Sequence, residues 1–350
     1  MQHGENGIDG VALSMPAIVG RPISTAENDP QQRQGGRKMI EIQGVSMEFR
    51  SKAVGENDKP FQALNDISFT IPDGCVYGFL GSNGAGKSTL MRLMAGVYRL
   101  QTGSIKVDGE DVWDNPKAKE KIFFINDETI QYTEFTLEDM RKYYRSYYEA
   151  FSDEVFDKLI AQLGLPTDRK LSSFSKGMKR QAVVVLGLAC MTKYLILDEA
   201  FDGLDPAMRK ILKDIIVDQM LDRGSTLILS SHNITEINEL CDRALLIHRG
   251  ELIFNDEIDK IRGGICKVQL MRKDAPVTKQ ELIDAGLEVM KYSCAGSVAQ
   301  AVIKGSDEEI MARIGNFNTD IAEMIPLTLE EVFIFELEAR GYGYDGLSQD

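Results

Sequence analysis

Several things are scarce in this chain of 350 residues, and each scarcity excludes something. There are five cysteines, Cys75, Cys190, Cys241, Cys266 and Cys294. Their number is odd and their spacing unpaired, which argues against a disulfide framework and for buried thiols in a reducing compartment. Only three histidines occur, His3, His232 and His248. None neighbours a cysteine cluster, so a His–Cys metal site is not expected. No apolar run approaches the roughly 18 residues that cross a bilayer. The N-terminus lacks the basic region and apolar core of a secretory signal. Positive charge is also short. Forty Lys and Arg face 54 Asp and Glu, a formal net charge of −14. A general nucleic-acid binder needs the opposite balance to neutralise phosphates, so no nucleic-acid partner is expected. Adhesion to an anionic membrane surface is disfavoured for the same reason.

What is present is ordinary soluble material. Hydrophobic residues make up 43% and charged residues 27%, and the length allows two or three structural units. Residues 1–37 are rich in Gly, Gln, Asn, Asp and Ser without periodicity, and read as a flexible extension. Order begins with the alternating strand at Met39-Ile40-Glu41-Ile42. Further strands are expected over 63–71, 75–80, 103–107, 194–197, 226–229 and 243–254. Helical patterns fill 136–171, with caps at Thr136 and Ser152, and the stretch from Pro206 to about Arg223. Strands alternating with helices point to an α/β fold around a mainly parallel sheet. After about Gly264 the texture changes to β-α-β-β-α-β, a ferredoxin-like pattern, followed by a helix capped at Thr328. The expected division is a larger α/β domain over 38–263, a small α+β domain over 264–341 and a tail over 342–350.

Two stretches carry chemistry. Gly81-Ser82-Asn83-Gly84-Ala85-Gly86-Lys87-Ser88-Thr89 fits the pattern G-x-x-x-x-G-K-[ST] and lies between a strand and a helix, the context that motif requires. Glycines let backbone N–H groups converge on phosphate oxygens at a helix start. Lys87 can reach the β- and γ-phosphates, and Ser88 can hold Mg²⁺. The second stretch is Tyr194-Leu195-Ile196-Leu197-Asp198-Glu199, an apolar run ending in two carboxylates. In an open α/β sheet, ligands bind beyond the carboxyl ends of the strands. Asp198 is therefore expected near the metal ion. Glu199 is expected to orient or deprotonate the attacking water.

Four more stretches fall into an order that resembles the ATP-binding cassette (ABC) family across about 39–261. Phe174-Ser175-Lys176-Gly177-Met178 resembles the family signature, and Gly203-Leu204-Asp205-Pro206 its dimer-contact loop. His232 looks like the switch histidine, and Phe49 holds the position of an aromatic that stacks on adenine. The resemblance implies a P-loop NTPase core, in which a RecA-like parallel sheet is joined by an antiparallel β subdomain. It also implies a helical subdomain at about 129–188. ATP and Mg²⁺ are the implied ligands. Two cassettes, identical or not, would close head to tail with ATP between them. Ser175 and Gly177 would then meet the γ-phosphate held by the other subunit's cradle, and Asp205 would lie at that contact. Simple N-capping by Ser173 or Ser175 is a compatible reading of the same residues.

The sequence departs from the family pattern in places. A glutamine that contacts Mg²⁺ is usual, but here Asp127 falls at that position, with Glu128 as its rival. A carboxylate can still ligate Mg²⁺, but it lacks an amide's donors. Phe174, Lys176 and Met178 replace commoner signature residues, and Ala200 stands where proline is usual. The resemblance is nearest to bacterial exporters of the drug- and antibiotic-efflux type. It implies multi-span membrane permease subunits as partners and a peripheral place on the cytoplasmic face of the membrane. The alternative is a soluble mechanical ATPase of DNA repair or translation. Repair ATPases carry long coiled coils between cradle and signature, and translation factors carry two cassettes. This sequence has neither feature.

Overall fold

The structure is a computed structural model that describes residues 39–50, 60–126, 132–315, 317–325, 327–340 and 342. The extension over 1–37, the Asp127 and Glu128 pair and the tail beyond 342 lie outside those residues. The chain begins with β1 (Met39–Phe49), β2 (Phe61–Pro72), β3 (Val76–Leu80), α1 (Lys87–Met94), β4 (Thr102–Val107) and β5 (Glu110–Asp111). Next come α2 (Pro116–Lys119), β6 (Ile122–Ile125), α3 (Leu137–Tyr147), α4 (Asp153–Leu163), α5 (Lys176–Ala189) and β7 (Tyr194–Asp198). Then follow α6 (Pro206–Leu221), β8 (Thr226–Ser230), α7 (Ile234–Leu240), β9 (Arg243–His248), β10 (Glu251–Glu257) and α8 (Ile258–Gly263). The last part holds β11 (Ile265–Met271), α9 (Lys279–Asp284), β12 (Glu288–Ala295), β13 (Val298–Lys304), α10 (Asp307–Ile314), β14 (Ile321–Ile325) and α11 (Leu329–Ala339).

The central sheet has six strands in the order β10-β9-β3-β8-β7-β6. It is parallel from β9 to β6, and β10 is antiparallel at one edge. Its inner strands β3, β7 and β8 are buried along their whole length because both faces are covered. Alternate residues divide cleanly between two cores. Tyr77, Phe79, Tyr194, Ile196, Ile228, Leu245 and Ile247 pack with α1 and the antiparallel sheet β2-β1-β4-β5. Val76, Leu80, Leu195, Leu197, Leu227, Leu229 and Leu246 pack with the helices of the other face. This period of two is the pleat of each strand.

The helical lobe rests on α5. Ala182, Val184, Val185, Leu186, Leu188 and Ala189 are buried there, with Phe156 and Leu159 of α4 and Leu137 and Met140 of α3 in the same core. Fully burying a Val or Leu stabilises by about 1.5–3 kcal/mol, so this lobe is held mainly by α5. The helix starts are well specified. Thr136 and Asp139 form a reciprocal capping box, and Ser152 caps α4. Arg141 of α3 ties the lobe together, at 2.7 Å from Asp153 and 3.0 Å from Asp157 of α4.

The third sheet is antiparallel in the order β12-β13-β11-β14. Its elements run β-α-β-β-α-β, and α9 and α10 cover one face. The closing helix α11 divides its side chains. Val332 and Phe335 lie with Ile265 and Val302 of this sheet, whereas Leu329, Phe333 and Leu337 join the core under the six-stranded sheet. All five cysteines are free, as expected, but not all are buried: Cys294 is exposed. It sits on β12, an edge strand of this sheet.

Candidate active site

The loop from 81 to 86 joins β3 to α1 and passes between two backbones. A Cβ on Gly81 (φ +150°) would lie 2.3 Å from the carbonyl oxygen of Ile247, and one on Gly86 (φ +112°) 2.6 Å from that of Ala63. Only glycine fits such approaches. The turn after β9 pins the loop from outside: Gly250 N–H donates to the Ala85 carbonyl at 2.9 Å, and Asn65 N–H to that of Gly250 at 2.8 Å. Helix α1 then starts with no side-chain cap and no acidic residue in its first turn. Of the eleven described helices, nine take a side-chain cap. The first N–H groups of α1 are thus left for an anion.

Lys87 is 3% exposed and folds back over the loop, donating to the Gly81 carbonyl at 2.7 Å and that of Ser82 at 3.1 Å. Its ammonium lies 3.8 Å from Oε1 of Glu199. Burial lowers its pKa, and the charges of Glu199, Asp198 and Asp202 oppose that shift. One cation thus faces three carboxylates.

Strand β7 delivers Asp198, 2% exposed, to the mouth of the cradle. Its Oδ1 accepts from Ser88 Oγ at 3.0 Å and from Ser230 Oγ at 2.8 Å. Ser230 ends β8 and also accepts the Glu199 N–H at 2.9 Å. Glu199 has φ +48°, a left-handed conformation that costs roughly 1–3 kcal/mol in a non-glycine residue and clusters at working sites. Its pKa is raised, first by burial and then by Asp202 and Asp198, while Lys87 and His232 pull it down. A carboxylate with a raised pKa is a better proton acceptor than an ordinary one. His232, 54% exposed, lies after β8 with Nδ1 3.8 Å from Oδ2 of Asp202. The fold therefore gathers Lys87, Ser88, Asp198, Glu199 and His232 at one end of the sheet.

Ser88 Oγ and Asp198 are hard oxygen donors side by side, which suits Mg²⁺. Among the described residues, no group of three or more His, Cys, Asp or Glu could hold a metal ion. Mg²⁺ is commonly held by one or two carboxylates plus substrate phosphates, so the small donor set fits an ion arriving with its triphosphate. Phe49, 37% exposed at the end of β1, meets Tyr98 edge-on with ring centroids 6.0 Å apart. The pair offers an aromatic surface on which a base could stack.

The signature region stands apart from this cluster. Ser175 is the N-cap of α5, and its Oγ accepts the Met178 N–H at 3.2 Å. Ser173 lies in a short 3₁₀ turn and donates instead to the Lys170 carbonyl. Of the two candidate caps, Ser175 is thus the one used. A Cβ on Gly177 would meet the Leu204 side chain at 3.8 Å and Ser175 Oγ at 4.0 Å, both ordinary contacts. Asp205 caps α6 through the Met208 N–H at 3.0 Å. Among the described residues, no hydrogen bond or ion pair joins Ser175, Gly177 or Asp205 to the cradle.

Sequence reasoning passed over Ser230, Asp202 and Tyr98. The one signal was two polar residues, Ser230 and Ser231, at the end of the apolar run Leu227-Ile228-Leu229. Among the described residues, no helix is long and apolar enough to cross a membrane.

Comparison with known proteins bears on this arrangement. The profile of the family described as "ABC transporter" matches residues 64–202, from β2 through the cradle and signature to the acidic pair. The ABC transporter ATP-binding protein YtrB of Bacillus subtilis is 28% identical over 296 residues, covering 85% of this chain and 97% of that protein. The lantibiotic transport ATP-binding protein SrtF of Streptococcus pyogenes is 31% identical over 223 residues, covering 63% and 92%. The solved structure of the ATP-binding cassette MJ0796, a dimer in a post-hydrolysis state bound to ADP and Pi, superimposes with TM-score 0.54 at 18% identity, over 63% of this chain and 99% of that one. That likeness confirms the P-loop NTPase fold. The open cradle, the acidic pair behind it and these relatives agree: the chain belongs to the ABC transporter family, as an ATP-binding subunit with ATPase chemistry.

Proposed function

We propose that this subunit powers export by pairing with a second cassette around ATP and transmitting the closure to multi-span permease subunits. The observation that carries the chemistry is the contact of Ser88 Oγ with Asp198 Oδ1 at 3.0 Å, beside the raised-pKa carboxyl of Glu199. The name of the lantibiotic transport relative supports the exporter reading. In this reading Gly81 to Thr89 wrap the triphosphate with backbone N–H groups, Lys87 neutralises its outer phosphates and Phe49 stacks on the base. Ser88, Asp198 and Asp127 hold Mg²⁺, which when bound supplies positive charge against the phosphate oxygens. Glu199 takes the proton of the attacking water, and His232 hydrogen-bonds the γ-phosphate or that water. Ser175, Gly177 and Asp205 act on the partner cassette's nucleotide. ATP then stands in place of an internal cap at α5, because both use the same free N–H groups. The proposed division is an ATPase domain over 38–263 and a separate small domain over 264–341.

Glu199→Gln is the direct test. The variant should bind ATP as the wild type does, hydrolyse it at least about 100-fold more slowly, and run as a dimer on gel filtration when ATP is present. Normal turnover would remove Glu199 from the chemistry. Copurification with a multi-span membrane protein tests the transport reading. A fully soluble chain bound to ribosomes would overturn it.

A further inference from the structure

Behind the switch histidine lies a buried charged network that the proposed chemistry does not use. Glu236 in the first turn of α7 is 6% exposed, and Lys213 of α6 is 14% exposed. The two form a close ion pair, so an otherwise isolated carboxylate is held inside the protein. The other oxygen of Glu236 accepts a hydrogen bond from Ser231 Oγ at 2.5 Å. Ser231 is 3% exposed, and its Oγ accepts the Asn233 N–H at 3.0 Å. The Ser231 N–H donates to the Phe79 carbonyl at 3.2 Å. Both neighbours of His232 are thus tied down, one of them directly to Glu236. Among the described residues, the imidazole itself has only the loose approach to Asp202, 3.8 Å, to orient it.

We infer that Glu236, braced by Lys213, is a positioning residue for His232. Among the described residues no other ion pair or hydrogen bond is found at the imidazole, so its placement depends on the backbone that carries it. That backbone is set by Ser231, and the Ser231 hydroxyl is set by Glu236. Lys213 extends the link further. Its ammonium lies 5.6 Å from the ring centroid of Phe201, a buried residue between Glu199 and the contact loop. Lys213 also stands two turns along the helix that Asp205 caps. The network therefore joins the switch loop, the segment after the acidic pair and the helix of the contact loop. A shift of α6 at a cassette contact would reach His232 through a buried ion pair rather than through solvent. The inference rests on the reading that His232 acts at the γ-phosphate.

The test is steady-state ATPase kinetics of the full chain, with single turnover for slow variants. Glu236→Gln keeps the shape and removes the charge. It should lower kcat at least tenfold while KM for ATP and equilibrium ATP affinity stay within twofold. Lys213→Met should do the same, and Lys213→Arg should restore most of kcat. In a His232→Ala background, Glu236→Gln should change the single-turnover rate by less than twofold, because its effect passes through the histidine. Wild-type kcat in Glu236→Gln, or an equal loss with and without His232, overturns the positioning role. If Glu236→Gln does not fold, Ser231→Ala breaks the same link from a smaller side chain and is held to the same two outcomes. Wild-type turnover in His232→Ala alone would instead sink the reading of His232, and the two failures are told apart by that variant.

Discussion

Two helix starts in this protein face nucleotide phosphates in the proposed assembly, and they are built differently. At α1 the N-cap is Gly86, no side chain caps the helix, and the neighbouring ammonium of Lys87 is turned onto carbonyl oxygens of its own loop. At α5 the N-cap is Ser175, and its hydroxyl already satisfies the Met178 N–H. The first start is open to an anion within one chain. The second already has a side-chain cap and so has an ordinary reason to exist without a ligand. A half-site that must await a partner gains from this arrangement, since an uncapped helix start would leave its donors unpaired whenever the cassettes are apart.

The sharpest way to break the comparison is at the open start. Gly81→Ala places a Cβ where the Ile247 carbonyl stands, so the loop must move. Calorimetry should find no measurable ATP binding, while circular dichroism shows the rest still folded. Retained affinity would mean that the cradle is less tightly sandwiched than described. Next in size is the closed start. Ser175→Arg should reduce hydrolysis at least about 100-fold, with ATP affinity of the isolated subunit within twofold. Loss of that affinity would show that the signature serves its own cradle and would erase the difference between the two starts.

A smaller effect concerns pH. Glu199 must be ionised to accept a proton, and its pKa is raised, chiefly by burial. Activity should therefore fall with decreasing pH at a higher midpoint than an ordinary carboxylate allows. Asp202 pushes in the same upward direction, so Asp202→Asn should move that midpoint down. A midpoint that stays put would assign the acid limb to another group.

The smallest expected change lies far from both starts, where a capped helix has only a structural task. Thr278 and Glu281 form a reciprocal capping box on α9, and Arg272 braces Glu281 at 2.9 Å. Thr278→Ala should cost about 1 kcal/mol of stability and leave ATPase kinetics unchanged. These hydrogen bonds hold the Glu281 carboxyl at about 2 instead of 4.5. A depressed acid stabilises the fold above its unfolded value, and that stability is lost as pH falls from 4.5 toward 2. Glu281→Gln should flatten that part of a melting-temperature profile.

Much of the site was legible because its parts are contiguous and demanding. A phosphate-binding loop needs glycines at fixed offsets before Lys87, and a strand aimed at a ligand must end in its functional groups, as β7 ends at Asp198. The strand and helix pattern was legible for the same reason: pleat and helix periods are local. Ser230 was missed because a serine closing an apolar strand has no local mark, and its partners lie 32 and 31 residues away. Asp202 and Tyr98 were missed likewise, since their roles are contacts, not motifs.

The sequence by itself determined the cradle, the acidic pair, the order of the motifs and the two-texture division of the chain, since each is written in neighbouring residues with narrow backbone requirements. Only the tertiary structure decided that Ser175 and not Ser173 caps α5, that α11 shares its side chains between two cores, and that Glu236 reaches the segment carrying His232. Hydrogen bonds and ion pairs act over about 3 Å, whereas the residues that make them here are brought together from separate helices and strands by burial of the apolar faces between them.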